Sequence, residues 1–570
     1  MRWPGRGQAA AADGTGFAGR PADGAQRQER SPTGLIPPSS PVSGSGPDIS
    51  RRDRHRELVV VVVVVGVLMA AVDTTIVVLA LPAMERSLHI ALSAVVWVIV
   101  AYILVVTILA TQVGRLGDMF GRTRMYELGF LIFVIGSALC ATATSEATII
   151  AFRIVQGVGG AFLTANSGAV LADAFPRQER GKAFGYNAIG WNAGAILGIL
   201  IGGFIITYAS WRWIFWINVP VGLAALALAR QVLREDAPRQ RQRLDLVGMT
   251  LFGAGLFGVL WAMTKLATSR LSGPLLAALV GGALVLVAFV VVERHRAEPM
   301  VNLRLFRIPT FAPTLLAALF QGLANFAVLF LVLMYLQGVR HLTPLDASLL
   351  LVPGYLVGGV IGPICGRLAD RFGAVWPATL GLGVEILALG VYSQLTTTTP
   401  LAVVTLAAVL NGLGAGAFMP ANNSAVMKVA PGRDFGIASG MTRTFANVGM
   451  VFSFSVAVLV AARSISRGLA FAIFVGTTSL PRRLGPAFTT GLHAAFFSSI
   501  GFMALAAVLS ATRMLGSRRR AALAHADGGA PGGRGREPGD GQAVPATAPG
   551  VGDGLLAGGR GSPPGPGNCG

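Results

Sequence analysis

From Leu58 to Thr512 the chain alternates long apolar runs with short polar ones. Each run holds about 17–25 residues, enough for a helix to cross a hydrocarbon core of ~30 Å. The runs fall at 58–82, 94–113, 125–144, 147–171, 184–207, 211–229, 246–264, 274–292, 311–337, 346–366, 376–395, 401–425, 437–462 and 489–512. Val59 to Val65 form an unbroken valine run, which would read as a strand in water. In lipid the backbone must satisfy its own hydrogen bonds, so the same run predicts a helix. Outside these runs, 1–56 and 514–570 are rich in Gly, Pro, Ala and Arg and have almost no apolar clustering, so disordered tails are expected there. The first tail has no apolar h-region of a cleaved signal peptide.

Composition settles which solvent the spans face. Hydrophobic residues make up 53% and charged residues 13%, and the mean hydropathy is +0.64, which is lipid-facing and not soluble. The formal charge of +20 does not point to nucleic acid, because the arginines sit mostly in short loops between spans. With the N-terminus inside, roughly 19 Lys/Arg fall in inner loops against about 9 in outer ones. Both termini are therefore expected in the cytoplasm. The outer segment 463–488, with Arg463, Arg467, Arg482 and Arg483, runs against that bias. Lysine is confined to Lys182, Lys265 and Lys428, which suggests a GC-rich bacterial source and hence a bacterial plasma membrane. Cys140, Cys365 and Cys569 are too scattered for a disulfide framework.

The chain also repeats itself. GRLGDMFG at 114–121 recurs as GRLADRFG at 366–373, an offset of 252. Gly157, Gly159, Gly181, Gly185, Asn192 and Gly194 recur as Gly412, Gly414, Gly436, Gly440, Asn447 and Gly449, an offset of 255. The expected organisation is an all-α integral membrane fold of two pseudo-symmetric six-helix bundles, 57–230 and 301–513. The intervening 231–300 carries two inserted helices. Repeated halves that rock about a site at the bilayer midplane are the physical basis of alternating access.

Polar residues inside the spans are the candidate machinery. Asp73 lies midway along the first span, where its charged form is disfavoured, so it suits reversible proton binding or attraction of a cation. Arg153 lies in the fourth span, and a buried arginine costs at least ~2.5–3.5 kcal/mol at a helix centre, so it needs a cavity or a partner. The alternative is an arginine that snorkels to the interface. In the loop Gly114-Arg-Leu-Gly-Asp118-Met-Phe-Gly121-Arg122, glycines permit close helix approach and Asp118 is placed to pair with arginine as an ionic latch. Asp370 and Arg371 are its second copy. Glu385 lies deep in the eleventh span and reads as structural or as a kink at the lipid edge. Arg443 reads as an anchor of the thirteenth.

This loop resembles the signature loop of the major facilitator superfamily, which implies that the latch closes the cytoplasmic side in the outward-facing state. Arg153-Ile-Val-Gln156-Gly157 is similar to the family's fourth-helix motif, which implies a part for Arg153 in proton transfer. Gly194, Gly198, Gly202 and Gly203 resemble the fifth-helix antiporter motif, although Ile199 stands where the family usually has proline, which weakens the expected bend. Trp211-Arg-Trp213-Ile-Phe215-Trp-Ile-Asn218-Val-Pro220, and Ala71-Val-Asp73-Thr74-Thr75-Ile76 in the first span, resemble the fourteen-helix drug:proton antiporter branch. The resemblance covers Leu58 to Thr512. It places Tyr102, Asn166, Asn192, Gln321, Asn325, Asn411, Asn422 and Asn447 on cavity-lining helices, and makes the helix of Glu385 peripheral.

The implied activity is proton-coupled export of small amphipathic or cationic compounds by a monomer, with substrate, protons and lipid as its partners. Three alternatives remain: an exporter of an endogenous metabolite, a proton-symporting importer and a non-transporting membrane sensor. No G-x-x-x-x-G-K-[ST] loop, metal-ligand spacing or nucleophile–base arrangement is present, so no enzyme and no cofactor are expected.

Overall fold

The computed structural model describes residues 46–527, apart from 91, 177–178, 236–242, 297, 430–434 and 462–484. Residues from Leu58 onward form one compact unit. Of the other unit, Met1–Glu57, the described part is the start of the first helix.

Among the described residues the chain is helical and has no strand. The first half comprises α1 (Gly46–Leu88), α2 (Leu92–Phe120), α3 (Arg122–Thr142), α4 (Glu146–Ala174), α5 (Arg180–Tyr208) and α6 (Trp213–Val232). Two inserted helices follow, α7 (Leu246–Thr268) and α8 (Gly273–His295). The second half comprises α9 (Phe311–Met334), α10 (Pro344–Phe372), α11 (Val375–Tyr392), α12 (Leu401–Val429), α13 (Phe435–Ala461) and α14 (Gly485–Asp527). Thirteen of these are long and apolar enough to span a membrane, and α13 occupies the remaining expected span at 437–462. The protein is a multi-pass membrane protein of two six-helix halves with an inserted pair.

Local sequence explains the boundaries. Ser145 and Thr148 form a reciprocal capping box at the start of α4, Asp245 caps α7 through the Gly248 N–H (2.8 Å), and Thr343 caps α10 ahead of Pro344. Caps of this kind contribute about 1 kcal/mol each. Between α2 and α3 the backbone turns at Gly121 with φ +110°, and between α10 and α11 at Gly373 with φ +97°. A side chain would strain both turns, which is why glycine recurs in the two copies. α9 ends in a π turn, Tyr335–Val339.

Two boundaries differ from expectation. α1 begins at Gly46 and α14 continues to Asp527, so both enter the segments assigned to tails. A helix already nucleated in the apolar span propagates cheaply into flanking residues. The rest of both tails lies outside the described residues, as does 463–488 up to the start of α14.

The packing repeats as the sequence does. α3 and α2 pack on α4 in the first half, and α11 and α10 pack on α12 in the second. The halves meet along two seams, α2 against α13 and α5 against α10. These seams are register mates of each other, as a pseudo-twofold axis requires. The inserted α7 packs on α8 and also touches both α2 and α13. Its start is tied to α2, where the Asp245 N–H donates to Gln112 Oε1 at 3.3 Å, and its far part to α13 through Thr264 and Ser455 hydroxyls at 3.3 Å.

α5 approaches α1 through its glycines. A Cβ at Gly194 would lie 2.7 Å from that of Ala71, one at Gly198 would lie 2.9 Å from the Val72 carbonyl, and one at Gly202 would lie 2.7 Å from Ile76 Cγ1. Gly203 instead faces Pro344 and Ser348 of α10. The expected packing face is therefore present without the proline, and it serves both an intra-half contact and a seam. Gly198→Val should lower stability in detergent by about 1–3 kcal/mol, the usual cost of overpacking. Gly383→Val, where nothing lies within 4 Å, serves as the control. Equal melting temperatures for the two variants would reject a tight α1–α5 contact.

Candidate functional site

α1 and α4 bring together the two ionisable groups that the sequence singles out. Asp73 and Arg153 are both 0% exposed, and Arg153 Nη1 lies 2.6 Å from Asp73 Oδ2. Gln156, one turn along α4, donates from Nε2 to Asp73 Oδ1 at 2.8 Å and accepts from Arg153 Nη1 at 2.7 Å. Arg153 Nε donates to the Val98 carbonyl of α2 at 2.8 Å. The guanidinium lies 4.4 Å from the centroid of the Tyr102 ring and 5.8 Å from that of Phe215. Arg153 is thus held by a buried partner and does not snorkel. Short bonds of 2.6–2.8 Å are those of charged partners.

Tyr102, expected at the substrate cavity, is buried as the lid on this ion pair, and Gly160 leaves room for its hydroxyl. Asp73 carries a full counter-charge in this conformation. Its carboxylate therefore has no unneutralised charge to offer a cation, which sharpens the sequence reading: ligand or proton must compete with Arg153.

The loop latch forms as expected in the first half and is larger than expected. Arg122 bonds Asp118 at 2.8 Å and also Asp173, at the end of α4, at 2.7 Å. Glu235, after α6, accepts the Arg122 and Thr123 backbone N–H groups at 3.1 Å each, answering the exposed donors at the start of α3. A Cβ on Gly121 would collide with that carboxylate. At Gly114 nothing lies within 4 Å, so its role in close packing is not realised here.

The second copy departs from the expected pairing. Asp370 accepts from Ser424 Oγ at 2.8 Å and lies 3.9 Å from Lys428 Nζ, whereas Arg371 lies over the Phe372 ring at 5.2 Å. The reason is visible in the register. Arg122 corresponds to Ala374 at offset 252, and Asp173 corresponds to Lys428 at offset 255. The basic partner has moved from the third helix of the repeat to the fourth, with the sign of that position reversed.

The expected cavity asparagines separate into groups. Asn166 and Asn422 are buried at helix contacts. Asn166 faces Gly117 of α2, and Asn422 accepts from Arg513 Nη1 at 3.0 Å while donating to the Thr314 carbonyl. Neither is free to line a cavity. Asn192 bonds the Ala188 carbonyl of its own helix, and Asn447 is half-buried. Gln321 and Asn325 donate to Glu385, and Asn411 donates to Asn325; Glu385 is 0% exposed, so of its two readings the lipid-edge kink is overturned and the structural one is left standing. Its neighbours on α9 and α12 cover it. Arg443 crosses the seam, donating to the Thr164 carbonyl at 3.2 Å and lying 5.8 Å from the Trp191 ring, instead of anchoring α13 at an interface.

Sequence reasoning missed Arg513, Glu235 and Asp173 as partners. Arg513 is buried at 2% exposure, with Thr314 and Asn422 around it. An arginine at the very end of an apolar run was the signal available for it. Among the described residues no group of three or more His, Cys, Asp or Glu has metal-site geometry.

Comparison with known proteins agrees with this architecture. The riboflavin transporter RibZ of Clostridioides difficile is 31% identical over 399 residues, covering 69% of this chain and 86% of that one. The tetracenomycin C resistance and export protein of Streptomyces glaucescens is 32% identical, covering 68% and 72%. The multidrug resistance protein Stp of Mycobacterium tuberculosis is 29% identical, covering 71% and 75%. Among solved structures, a bacterial homologue of the human lysosomal transporter Spinster, inward-facing and unoccupied, matches with a TM-score of 0.55 at 16% identity, covering 82% of this chain and 97% of that one. The doubled helix bundle and its paired loops are matched by the Major Facilitator Superfamily model over residues 63–454, and the chain belongs to that superfamily of membrane transporters.

Proposed function

We propose that this chain is a proton-coupled antiporter that exports small amphipathic or cationic compounds from the cytoplasm. We place it in a bacterial plasma membrane as a monomer with both termini cytoplasmic. The observation that carries the coupling is the Asp73–Arg153 ion pair, sealed by Gln156 and Tyr102. A carboxylate paired with guanidinium in a dry site has two stable arrangements: paired and ionised, or protonated and released. Protonation from the outer side neutralises Asp73 and frees the guanidinium to find other acceptors, which loosens α1 from α4. Deprotonation towards the cytoplasm restores the pair. The proton gradient thereby biases an equilibrium between two packings, which is what ion-coupled alternating access requires.

Export is supported by the relatives whose names record resistance and export. The likeness to a riboflavin transporter shows that this scaffold carries other cargo as well, so the cargo class rests on the antiporter-like face of α5 and the acidic groups within the spans. A second reading, export of a metabolite that the cell makes itself, draws on the tetracenomycin C relative, whose name joins resistance with export.

Asp73→Asn leaves Arg153 buried with no counter-charge, which should cost about 3–5 kcal/mol of stability. Asp73→Asn combined with Arg153→Gln removes both charges and should recover most of that loss. Neither variant should show efflux of ethidium driven by a pH gradient in reconstituted vesicles, and undiminished gradient-driven efflux in either would reject the assignment. The latch makes a separate prediction. Arg122 is about a quarter exposed, so Arg122→Ala should barely change the melting temperature. It should slow turnover by about tenfold, equivalent to ~1.4 kcal/mol on the rate-limiting conformational step. Unchanged turnover would mean that the Asp118–Arg122–Asp173 cluster does not hold a transport state.

A further inference from the structure

The second half contains a polar core that mirrors the first and differs from it in one telling respect. At offset 252 Asp73 corresponds to Asn325, and at offset 255 Gln156 corresponds to Asn411. The contact is kept: Gln156 Nε2 reaches Asp73 at 2.8 Å, and Asn411 Nδ2 reaches Asn325 Oδ1 at 3.4 Å. The carboxyl has moved. It comes from Glu385 on α11, whose register mate on α3 is Phe133. The space around these mates is also conserved: a Cβ at Gly159 would lie 2.6 Å from Phe133 Cα, and one at Gly414 would lie 2.6 Å from Glu385 Cγ. Arg153 corresponds to Ala408, so the cation that neutralises Asp73 has no counterpart.

Glu385 is accordingly solvated by amides alone. Gln321 Nε2 lies 3.3 Å from each carboxyl oxygen, and Asn325 Nδ2 lies 3.1 Å from Oε2. These contacts are longer than the 2.6–2.8 Å bonds around Asp73, and none of them comes from a cation. Among the described residues, none of the ion pairs involves Glu385. Among the described side chains, the charged and titratable groups on the elements packed against it are placed elsewhere or carry no charge, the Cys365 thiol of α10 included. On α12, Lys428 is bound to Asp370 and the Ala369 carbonyl. On α14, His493 bonds the Leu395 carbonyl and Arg513 bonds Asn422. On α10, Asp346 caps its own helix, Tyr355 is a neutral phenol, and Arg367 and Asp370 lie in the loop motif at one end. On α11 itself Tyr392 is a neutral phenol two turns away and Arg371 precedes the helix at the loop. α9 presents amides only. A carboxylate in such a place has no counter-charge to offset its desolvation, whereas a carboxylic acid needs none. Asn325 and Asn411 are half-buried and carry the cluster outward from the covered carboxyl.

We propose that Glu385, with Gln321, Asn325 and Asn411, is a second proton-binding centre, located in the C-terminal half and independent of the Asp73–Arg153 pair. The carboxyl holds its proton in this conformation; when the halves rearrange and water reaches Asn325 and Asn411, the O–H bond breaks and the proton passes to that water, a cationic ligand favouring the carboxylate left behind. The amide donors that already face its two oxygens then stabilise the resulting carboxylate. What that proton does in transport rests on the antiport reading; where it binds does not.

Dicyclohexylcarbodiimide tests the site directly, because it adds to protonated carboxyl groups in apolar surroundings. The purified full chain is treated across a pH series, and the modified residue is identified by peptide mass spectrometry. The expected result is modification at Glu385 that falls roughly tenfold across the titration as pH rises, in the wild-type chain and equally in the double variant Asp73→Asn with Arg153→Gln. Glu385→Gln, which keeps the side-chain shape, should lower proton release on addition of tetraphenylphosphonium relative to the wild-type chain without lowering the melting temperature. Absence of modification at Glu385 across the series, or modification that does not vary with pH, would overturn the proposal. So would dependence of the modification on Asp73. A chain that is modified at Glu385 yet moves no cation in vesicles would keep this centre and remove the antiport reading; one that exports yet is never modified there would do the reverse.

Discussion

A charge taken out of water must be answered by another, and in this transporter that requirement is met by Asp73 and Arg153. Each alone would cost several kcal/mol at the depth it occupies, and together they hold only because the geometry leaves few hydrogen-bonding groups idle. Gln156 bridges both, the Val98 carbonyl takes the third guanidinium contact, and the Tyr102 ring covers the assembly. The pair therefore fixes the position of α1 against α4 and α2 against both. Around it the small residues of α5 and α4 permit backbones to approach closely, so a shift at the ion pair is transmitted as movement of whole helices and not absorbed by loose packing.

The two halves show how duplication separates architecture from chemistry. Seams, close crossings and glycine turns recur at fixed offsets because they depend on backbone approach, which any apolar span with the right small residues reproduces. Charges do not recur in that way. The latch cation migrates from α3 in the first half to α12 in the second, and the buried carboxyl migrates from α1 to α11. Each migration keeps a polar cluster in the same region of the half while changing which helix supplies its charge. The halves repeat each other in helix packing and differ in the placement of their charges.

Much of this was legible in the chain itself. The spans were readable because hydropathy is a local quantity, and the doubled fold was readable because offsets of 252 and 255 survive in glycines, some of them at positive-φ turns and close helix crossings. Asp118 with Arg122 was legible because only three residues separate them across the α2–α3 turn, so the two side chains stay within reach of each other. Asp370 with Lys428 was not, since they lie 58 residues apart and nothing local specifies that α12 faces α10 at that height. Glu385 was misplaced for the same reason: one sequence gives the depth of a residue in its span but not the rotation of the helix, and depth alone does not distinguish lipid from a neighbouring helix. Tyr102 and Asn166 were placed on the right helices and given too exposed a role, because burial is a property of what packs against them.

The inserted pair acquires a mechanical meaning from its two tethers. α7 is pinned to α2 at its start, through Asp245 and Gln112, and to α13 near its other end, through Thr264 and Ser455. Nineteen residues of helix separate the pins, a strut of roughly 28 Å at the ordinary rise. A strut of fixed length laid diagonally across one seam behaves as a brace. One half cannot tilt past the other unless the brace pivots about one pin or releases it. The two pins are alike in length, so α7 joins the halves through one hydrogen bond to each, and any relative tilt of the halves must stretch one of them or carry the inserted pair along.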